Sequence, residues 1–149
     1  LTAMTWGAED LSAALGASSN RNPLTGQLDH PYVHAQVMCL ATAKAISAQA
    51  VGVVFVDFRN LEALEQDCIR ERVMGFFGKI AIHPAQCAVI NRAFTPTDAE
   101  VAHAKKVVDV FEQNPGLSTI GIDGKMYDMP HLKQARLLLS LVKEMQGAT

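Results

Sequence analysis

Val51-Gly52-Val53-Val54-Phe55-Val56-Asp57-Phe58 is short, rich in β-branched residues and nearly free of polar alternation. A run of this kind predicts a strand covered on both faces, as in a parallel sheet. Asn60 follows as an N-cap for a helix over 61–74, with Glu62 near the positive end of that helix. The same strand-then-helix unit recurs on both sides. Upstream, residues 1–7 read as a strand ending at Trp6-Gly7 and leading into a short helix over 11–15. Pro31 then opens a helix whose Val33, Val37, Leu40 and Ala41 share one face. Downstream, Lys79-Ile80-Ala81-Ile82-His83 reads as a third strand, and Pro84 opens a helix through Cys87, Val89 and Ile90. This alternation predicts right-handed βαβ units and a parallel sheet. Three strands alone leave both edges unpaired, so further strands or the rest of a barrel are expected to complete it.

Beyond that core, Thr97-Asp98-Ala99-Glu100 has capping-box spacing, and Val101, Ala104, Val108 and Phe111 form an apolar stripe behind it. Pro115-Gly116 breaks the pattern before an extended piece over 118–122, and Pro130 opens a last helix with Leu132, Ala135, Leu138, Leu139 and Val142. The loop 16–30, rich in Ser, Asn, Gly and Pro, is too long for a simple βα turn and reads as a binding loop or lid. The expected division is 1–116 for the barrel part and 117–149 for a C-terminal lid segment and helix.

The 149 residues carry a formal charge of −2, with 49% hydrophobic and 19% charged residues and no long block of either sign. Such a balance gives no electrostatic footprint for nucleic acid, so any phosphate-bearing ligand has to be held by a few placed groups. No stretch approaches the ~18–20 uninterrupted apolar residues of a membrane helix. The start, Leu1-Thr2-Ala3-Met4-Thr5-Trp6, has no initiator Met, no basic n-region and no long apolar h-region; it reads as the middle of a longer polypeptide rather than a signal peptide. Cys39, Cys68 and Cys87 are odd in number and widely spaced, which argues against a disulfide framework or zinc site and points to a reducing cytoplasm.

Three segments hold residues suited to chemistry. Trp6-Gly7-Ala8-Glu9-Asp10 lies at the C-terminal end of the first strand, where α/β folds bind ligands. Gly7 and Ala8 let a ligand approach the backbone, and successive amide N–H groups there can hold a carboxylate. Asp10 offers a hard oxygen ligand for Mg²⁺, or it caps the short helix behind it. Trp6 serves equally as a core anchor or a substrate wall. In the second segment, Gly75 to Pro84, His83 ends the third strand just before a helix N-terminus and is either an anion-side contact or a hydrogen-bonded structural histidine. Lys79, at the opposite end of that strand, reads as structural. In the third, Gly124-Lys125-Met126-Tyr127-Asp128-Met129-Pro130, Asp128 either caps the final helix or acts as a lid-borne acid or base. His34 and His103 look plain, Asp57 ends the second strand and is a candidate to face the site, and Arg59 reads as solvated or ion-paired.

Taken together, Met4-Thr5-Trp6-Gly7-Ala8-Glu9-Asp10-Leu11, Phe55-Val56-Asp57 with Leu61-Glu62, Gly75 to Gln86, Phe94-Thr95-Pro96-Thr97 and Gly124 to Asp128 resemble the C-terminal half of the HpcH/HpaI aldolase and citrate lyase β-subunit family, in its CoA-ester lyase branch. The resemblance implies an α/β fold: strands six to eight of a (β/α)₈ TIM barrel plus a helical lid extension. It implies a metal-dependent lyase that reversibly cleaves a 3-hydroxyacyl-CoA, of citryl-CoA or malyl-CoA type, to an acyl-CoA and a 2-oxo acid. Asp10 would be one of two carboxylates on Mg²⁺, and Gly7, Ala8 and Glu9 would offer amides to a substrate carboxylate. His83 and Pro84 would lie near the CoA chain. Asp128 would match a lid aspartate that reaches a neighbouring subunit's site in related malyl-CoA lyases, implying a homo-oligomer, trimer or hexamer. Asn60 and Ala63 stand where relatives often carry Asp and Gly. The second metal carboxylate and a substrate-binding arginine belong to earlier strands of the family, outside this chain. The competing readings are a CoA-independent 2-oxo acid aldolase of the same superfamily and a non-catalytic barrel fragment.

Overall fold

The computed structural model describes residues 1–147. It divides into two compact units, Leu1–Phe94 and Thr95–Thr149, each taken here by itself. The boundary expected at 116/117 falls inside the second.

The first unit runs β1 (Ala3–Met4), α1 (Ala8–Ala14), α2 (His30–Ala45), β2 (Gln49–Gly52), α3 (Leu61–Met74), β3 (Gly78–Lys79) and α4 (Pro84–Phe94). Its three strands pair parallel in the order β1-β2-β3, with Met4 opposite Ala50 and Gly52 opposite Lys79. Parallel neighbours need crossover connections, and helices supply each of them. Asp29 caps α2 by accepting from the His30 N–H, and Asn60 caps α3 through the Ala63 N–H at 3.1 Å, as its position in the sequence predicts.

The second strand is not where its apolar run places it. Pairing starts at Gln49 and ends at Gly52, whereas 51–58 was expected. Small residues decide this: Ala48 and Ala50 are buried against Ala43 and Phe76, so α2 sits close to the strand. The run after Gly52 leaves the sheet, and Phe55 packs over Leu64, Cys68, Val89 and Ile90 between α3 and α4. The other expected strands, 1–7 and 79–83, likewise shrink to two paired residues each, and the short helix begins at Ala8 rather than at residue 11.

Lys79 is wholly buried between sheet and helix. Its Nζ bonds Asp67 Oδ2 at 2.9 Å and Glu71 Oε2 at 3.0 Å, both from α3. Gln36 Nε2 donates to the other Glu71 oxygen at 3.2 Å, while Arg21 and Arg70 flank Asp67. A side chain at Gly52 would place a Cβ 1.9 Å from Glu71 Oε2, so only glycine leaves room for this carboxylate. Burial pushes the Asp67 carboxyl up, but the charge and hydrogen bond of Lys79, with Arg21 and Arg70, outweigh it and hold it below the usual carboxylate range. Burial also pushes Glu71 up, and there the same lysine does not fully compensate, so it stays above that range.

The second unit runs α5 (Asp98–Gln113), β4 (Thr119–Ile122), β5 (Lys125–Asp128) and α6 (Met129–Gly147). The capping box forms as its spacing predicts: Thr97 Oγ1 accepts from the Glu100 N–H at 3.2 Å, and Glu100 Oε2 accepts from the Thr97 N–H at 2.8 Å. The extended piece expected over 118–122 is β4, and it has a partner. β4 and β5 form an antiparallel hairpin turned by Asp123 (φ 50°) and Gly124 (φ 75°), the backbone of a two-residue primed turn. Ile120 and Ile122 bury into a core with Ala104, Val107, Phe111, Leu132 and Ala135.

Candidate active site

Because the three strands are parallel, their C-terminal ends share one edge of the sheet, and two of the three expected segments follow those ends. Gly7 is the N-cap of α1, with no side-chain cap; the first helical bond is Leu11 N–H to Gly7 O at 3.0 Å. The amides of Ala8, Glu9 and Asp10 precede that bond and are spare donors at the positive end of the helix. Ala8 is buried while Glu9 and Asp10 are exposed.

Asp10 folds back over the helix start. A Cβ built on Gly7 would lie 2.3 Å from Asp10 Oδ2, so glycine keeps open the space this carboxylate occupies. Asp10 makes no hydrogen bond or ion pair among the described residues, which leaves a hard oxygen donor free. It therefore does not act as a side-chain cap. Glu9 differs: its Oε1 accepts from Asn20 Nδ2 at 2.7 Å. Asn20 is buried within the long loop after α1, which an Arg21–Leu28 bridge closes and an Arg21–Phe55 cation–π contact at 5.3 Å anchors. Trp6 is half-buried, its indole N–H without an acceptor among the described residues.

His83 and Pro84 follow β3 on the same edge. The His83 ring stacks on Phe58 at 4.7 Å and 21°, and its Nδ1 accepts from the Ala85 N–H at 3.1 Å. Pro84 is the exposed first residue of α4. The residue that fixes this edge closes the stretch Gly75 to Gln86 in the sequence, where it carries no assigned role. Gln86, fully buried, accepts from the Ile82 N–H and donates to the Phe55 carbonyl, both at 2.9 Å. It ties the segment after β3 to the segment after β2. Its place at the end of the His83-Pro84-Ala85-Gln86 motif, in the first turn of α4, was the available signal. Asn20 gave none, being one of several polar residues in a loop.

A cleft of about 670 Å³ elsewhere in this unit is lined by Arg21, Phe55, Asp57, Asn60, Asp67 and Arg70, among others; Asp57 borders it, but Gly7, Ala8, Glu9, Asp10, His83 and Pro84 do not. Asp128 lies in the second unit, at the end of β5 directly before α6. Its carboxylate Oδ1 meets His131 Nδ1 at 2.5 Å rather than a backbone N–H of the helix. His103, unremarkable in the sequence, pairs through Nε2 with the Tyr127 hydroxyl at 3.1 Å. Among the described residues, no three His, Cys, Asp or Glu side chains gather as a metal site, and no helix is long and apolar enough to cross a membrane.

The chain is similar to known proteins. The family model of C-C bond lyases of the TIM-barrel fold covers residues 3–143. Mitochondrial citramalyl-CoA lyase of Rattus norvegicus is 35% identical over 143 residues, 95% of this chain and 40% of its own length. A (3S)-malyl-CoA thioesterase of Cereibacter sphaeroides is 34% identical over 94% of this chain and 48% of its own. The crystal structure of the protein CitE from Mycobacterium tuberculosis, in complex with magnesium, acetoacetate and coenzyme A, superposes with a TM-score of 0.82. It shares 31% identity across 91% of this chain and 50% of that one. The chain thus spans about half the length of the relatives it matches. On the extent of the family match, the chain belongs to the C-C bond lyases of the TIM-barrel fold.

Proposed function

We propose that the polypeptide carrying this chain is a Mg²⁺-dependent CoA-ester lyase that reversibly cleaves a 3-hydroxyacyl-CoA, of citryl-CoA or malyl-CoA type, to an acyl-CoA and a 2-oxo acid. The observation that carries this is the free Asp10 carboxylate, exposed beside spare helix amides at the C-terminal edge of a parallel sheet. Support for the ligand classes comes from a related protein whose structure holds magnesium and coenzyme A. The three parallel strands, open at both edges, would be strands six to eight of a closed barrel, with the second unit containing the lid.

In this reading Asp10 is one Mg²⁺ ligand, and the rest of the metal's coordination comes from outside these residues. Bound there, Mg²⁺ supplies Lewis-acid polarisation of the oxygen on the carbon that becomes the 2-oxo carbonyl. The amides of Gly7, Ala8 and Glu9 hold the carboxylate of the 2-oxo acid, with Glu9 fixed by Asn20 so that the turn does not open. His83 and Pro84 flank the CoA chain. Cleavage passes the hydroxyl proton to solvent as that O–H pair becomes the carbonyl, breaks the bond between the hydroxyl-bearing carbon and the thioester α-carbon, and leaves the electron pair on the thioester enolate. Asp128 delivers a proton to that α-carbon, and removes it in the reverse direction. Asp128 reaches the site of a neighbouring subunit in a homo-oligomer, trimer or hexamer. Cysteine usage keeps the cytosol as the expected compartment.

The experiment supplies Mg²⁺ with CoA thioesters or with free hydroxy acids. It follows the 2-oxo acid as its phenylhydrazone and free CoA as thiol. Expected is 2-oxo acid release from thioesters with little free thiol. Release from free acids alone would identify a CoA-independent aldolase, thiol release alone a thioesterase, and either rejects the proposal.

A further inference from the structure

We infer that His131 is the positioning residue for Asp128, fixing through an Nδ1–H···Oδ1 hydrogen bond which carboxylate oxygen is left for the substrate proton. The inference rests on the reading of Asp128 as the group that moves that proton. Two helices of the same unit make the case by contrast. At the start of α5, Thr97 and Glu100 exchange side-chain-to-backbone bonds, the usual way a first turn satisfies its amides. At the start of α6 the corresponding pair is Asp128 and His131, also three residues apart. There the carboxylate turns to the imidazole instead of to the helix backbone.

The Asp128 N–H also lies 3.2 Å from His131 Nδ1. A bare Nδ1 lone pair would accept that N–H but would repel a carboxylate oxygen at 2.5 Å. On this inference the proton sits on Nδ1 and is donated to Asp128, and the N–H at 3.2 Å is left without that acceptor. A hydrogen bond to an ionised acceptor is shorter and stronger than one between neutral groups. Asp128 Oδ1 is thereby occupied, and Oδ2 is the oxygen left to act.

The imidazole is itself held. Tyr127 meets the His131 ring edge-on at 5.2 Å and 67°, and the Tyr127 hydroxyl is fixed by His103 Nε2 across from α5. Adjacent hairpin residues thus divide the work, Asp128 carrying the chemistry and Tyr127 keeping its partner's ring in place. This gives His103 a function that its sequence context does not reveal.

The test compares His131→Ala and His131→Asn in the complete polypeptide. An asparagine amide N–H can stand where Nδ1–H stands. His131→Ala is expected to lower kcat for thioester cleavage by about 10–100-fold, the range for removing a group that orients a catalytic one. KM stays essentially unchanged, and His131→Asn restores most of the rate. Wild-type kcat in His131→Ala, or an Asn variant as slow as Ala, overturns the inference. Long-range ¹H–¹⁵N correlation spectra supply a readout independent of turnover. Protonated Nδ1 at His131 in the wild type, lost in Asp128→Ala, supports the pairing; an Nε2–H tautomer in the wild type overturns it. Absence of thioester cleavage by the wild type would reject the lyase reading alone, since the spectra still decide the pairing.

Discussion

Asp128→Asn is expected to lower kcat for thioester cleavage by about 10²–10⁴-fold, the usual contribution of a positioned general acid or base. That is roughly 3–5 kcal/mol of transition-state stabilisation. The amide is nearly isosteric and keeps a hydrogen-bond acceptor for His131, but it cannot carry the proton. Asn starts helices about as well as Asp, so α6 and the core formed by Ile120, Ile122, Leu132 and Ala135 should survive unchanged. Steady-state kinetics with a thermal melt separate the two effects: a large fall in kcat, similar KM and an unaltered melting temperature. If Asp128 serves a neighbouring subunit, mixing Asp10→Asn and Asp128→Asn proteins under subunit exchange restores part of the activity, because some sites then receive both intact residues. Persistent inactivity after demonstrated exchange places Asp128 in its own subunit's site. A wild-type kcat in Asp128→Asn removes it from the chemistry.

Lys79→Met is expected to cost about 3–5 kcal/mol of stability, the range for stranding one side of a buried ion pair. The loss is a large share of the ~5–15 kcal/mol that holds a typical domain together. Two carboxylates depend on this ammonium, but unequally. Asp67 keeps Arg21 and Arg70, whereas Glu71 keeps Gln36 as its hydrogen-bonding neighbour. Adding Glu71→Gln to Lys79→Met should therefore recover more than half of the loss in urea titrations. The sign of the pH dependence follows from Glu71. Its folded pKa lies above the unfolded value of ~4.3, so between the two the folded state binds more protons and stability falls as pH rises. Without Lys79 that shift grows, and acidification from pH 7 should regain part of the loss in the single variant but not in the double. Asp67 works in the opposite direction. Its folded pKa is depressed, so its contribution is complete above about pH 3.9 and is lost as pH falls through the folded value. A single variant as stable as wild type would show the cluster to be dispensable.

Sequence made the order of elements and most helix starts readable, because capping is local chemistry. Asn60, Thr97 with Glu100, and Pro84 each act where they stand in the chain. Strand limits were less legible. The β-branched run 51–58 looks more like a strand than Gln49-Ala50 does, yet the pairing falls on Ala50 because a small residue lets α2 close over it. The hairpin partner β5 was missed although Asp123-Gly124 is a strong turn signal; the residues after it, Lys125-Met126-Tyr127-Asp128, alternate too weakly to read as a strand. The place of Asp10 just after the first strand was legible, and its carboxylate stands free in the first turn of α1. Its alternative role as a cap was not separable from sequence, since spacing is the same for both. The burial of Glu71, the Gln86 bridge, the Asn20 contact to Glu9 and the His103–Tyr127 pairing all join residues distant in the chain. No local pattern encodes them.

Calorimetric titration of Mg²⁺ into the complete wild-type polypeptide and its Asp10→Asn variant decides whether Asp10 ligates the cation. Because Asp10 is bound to nothing else in its own unit, the substitution leaves the fold intact and changes only the charge and donor strength offered to the cation. The predicted result is an affinity weakened at least about tenfold in Asp10→Asn, since even groups that only support a ligand are worth that much. Equal Mg²⁺ affinity in the two proteins, with both folded, would contradict it.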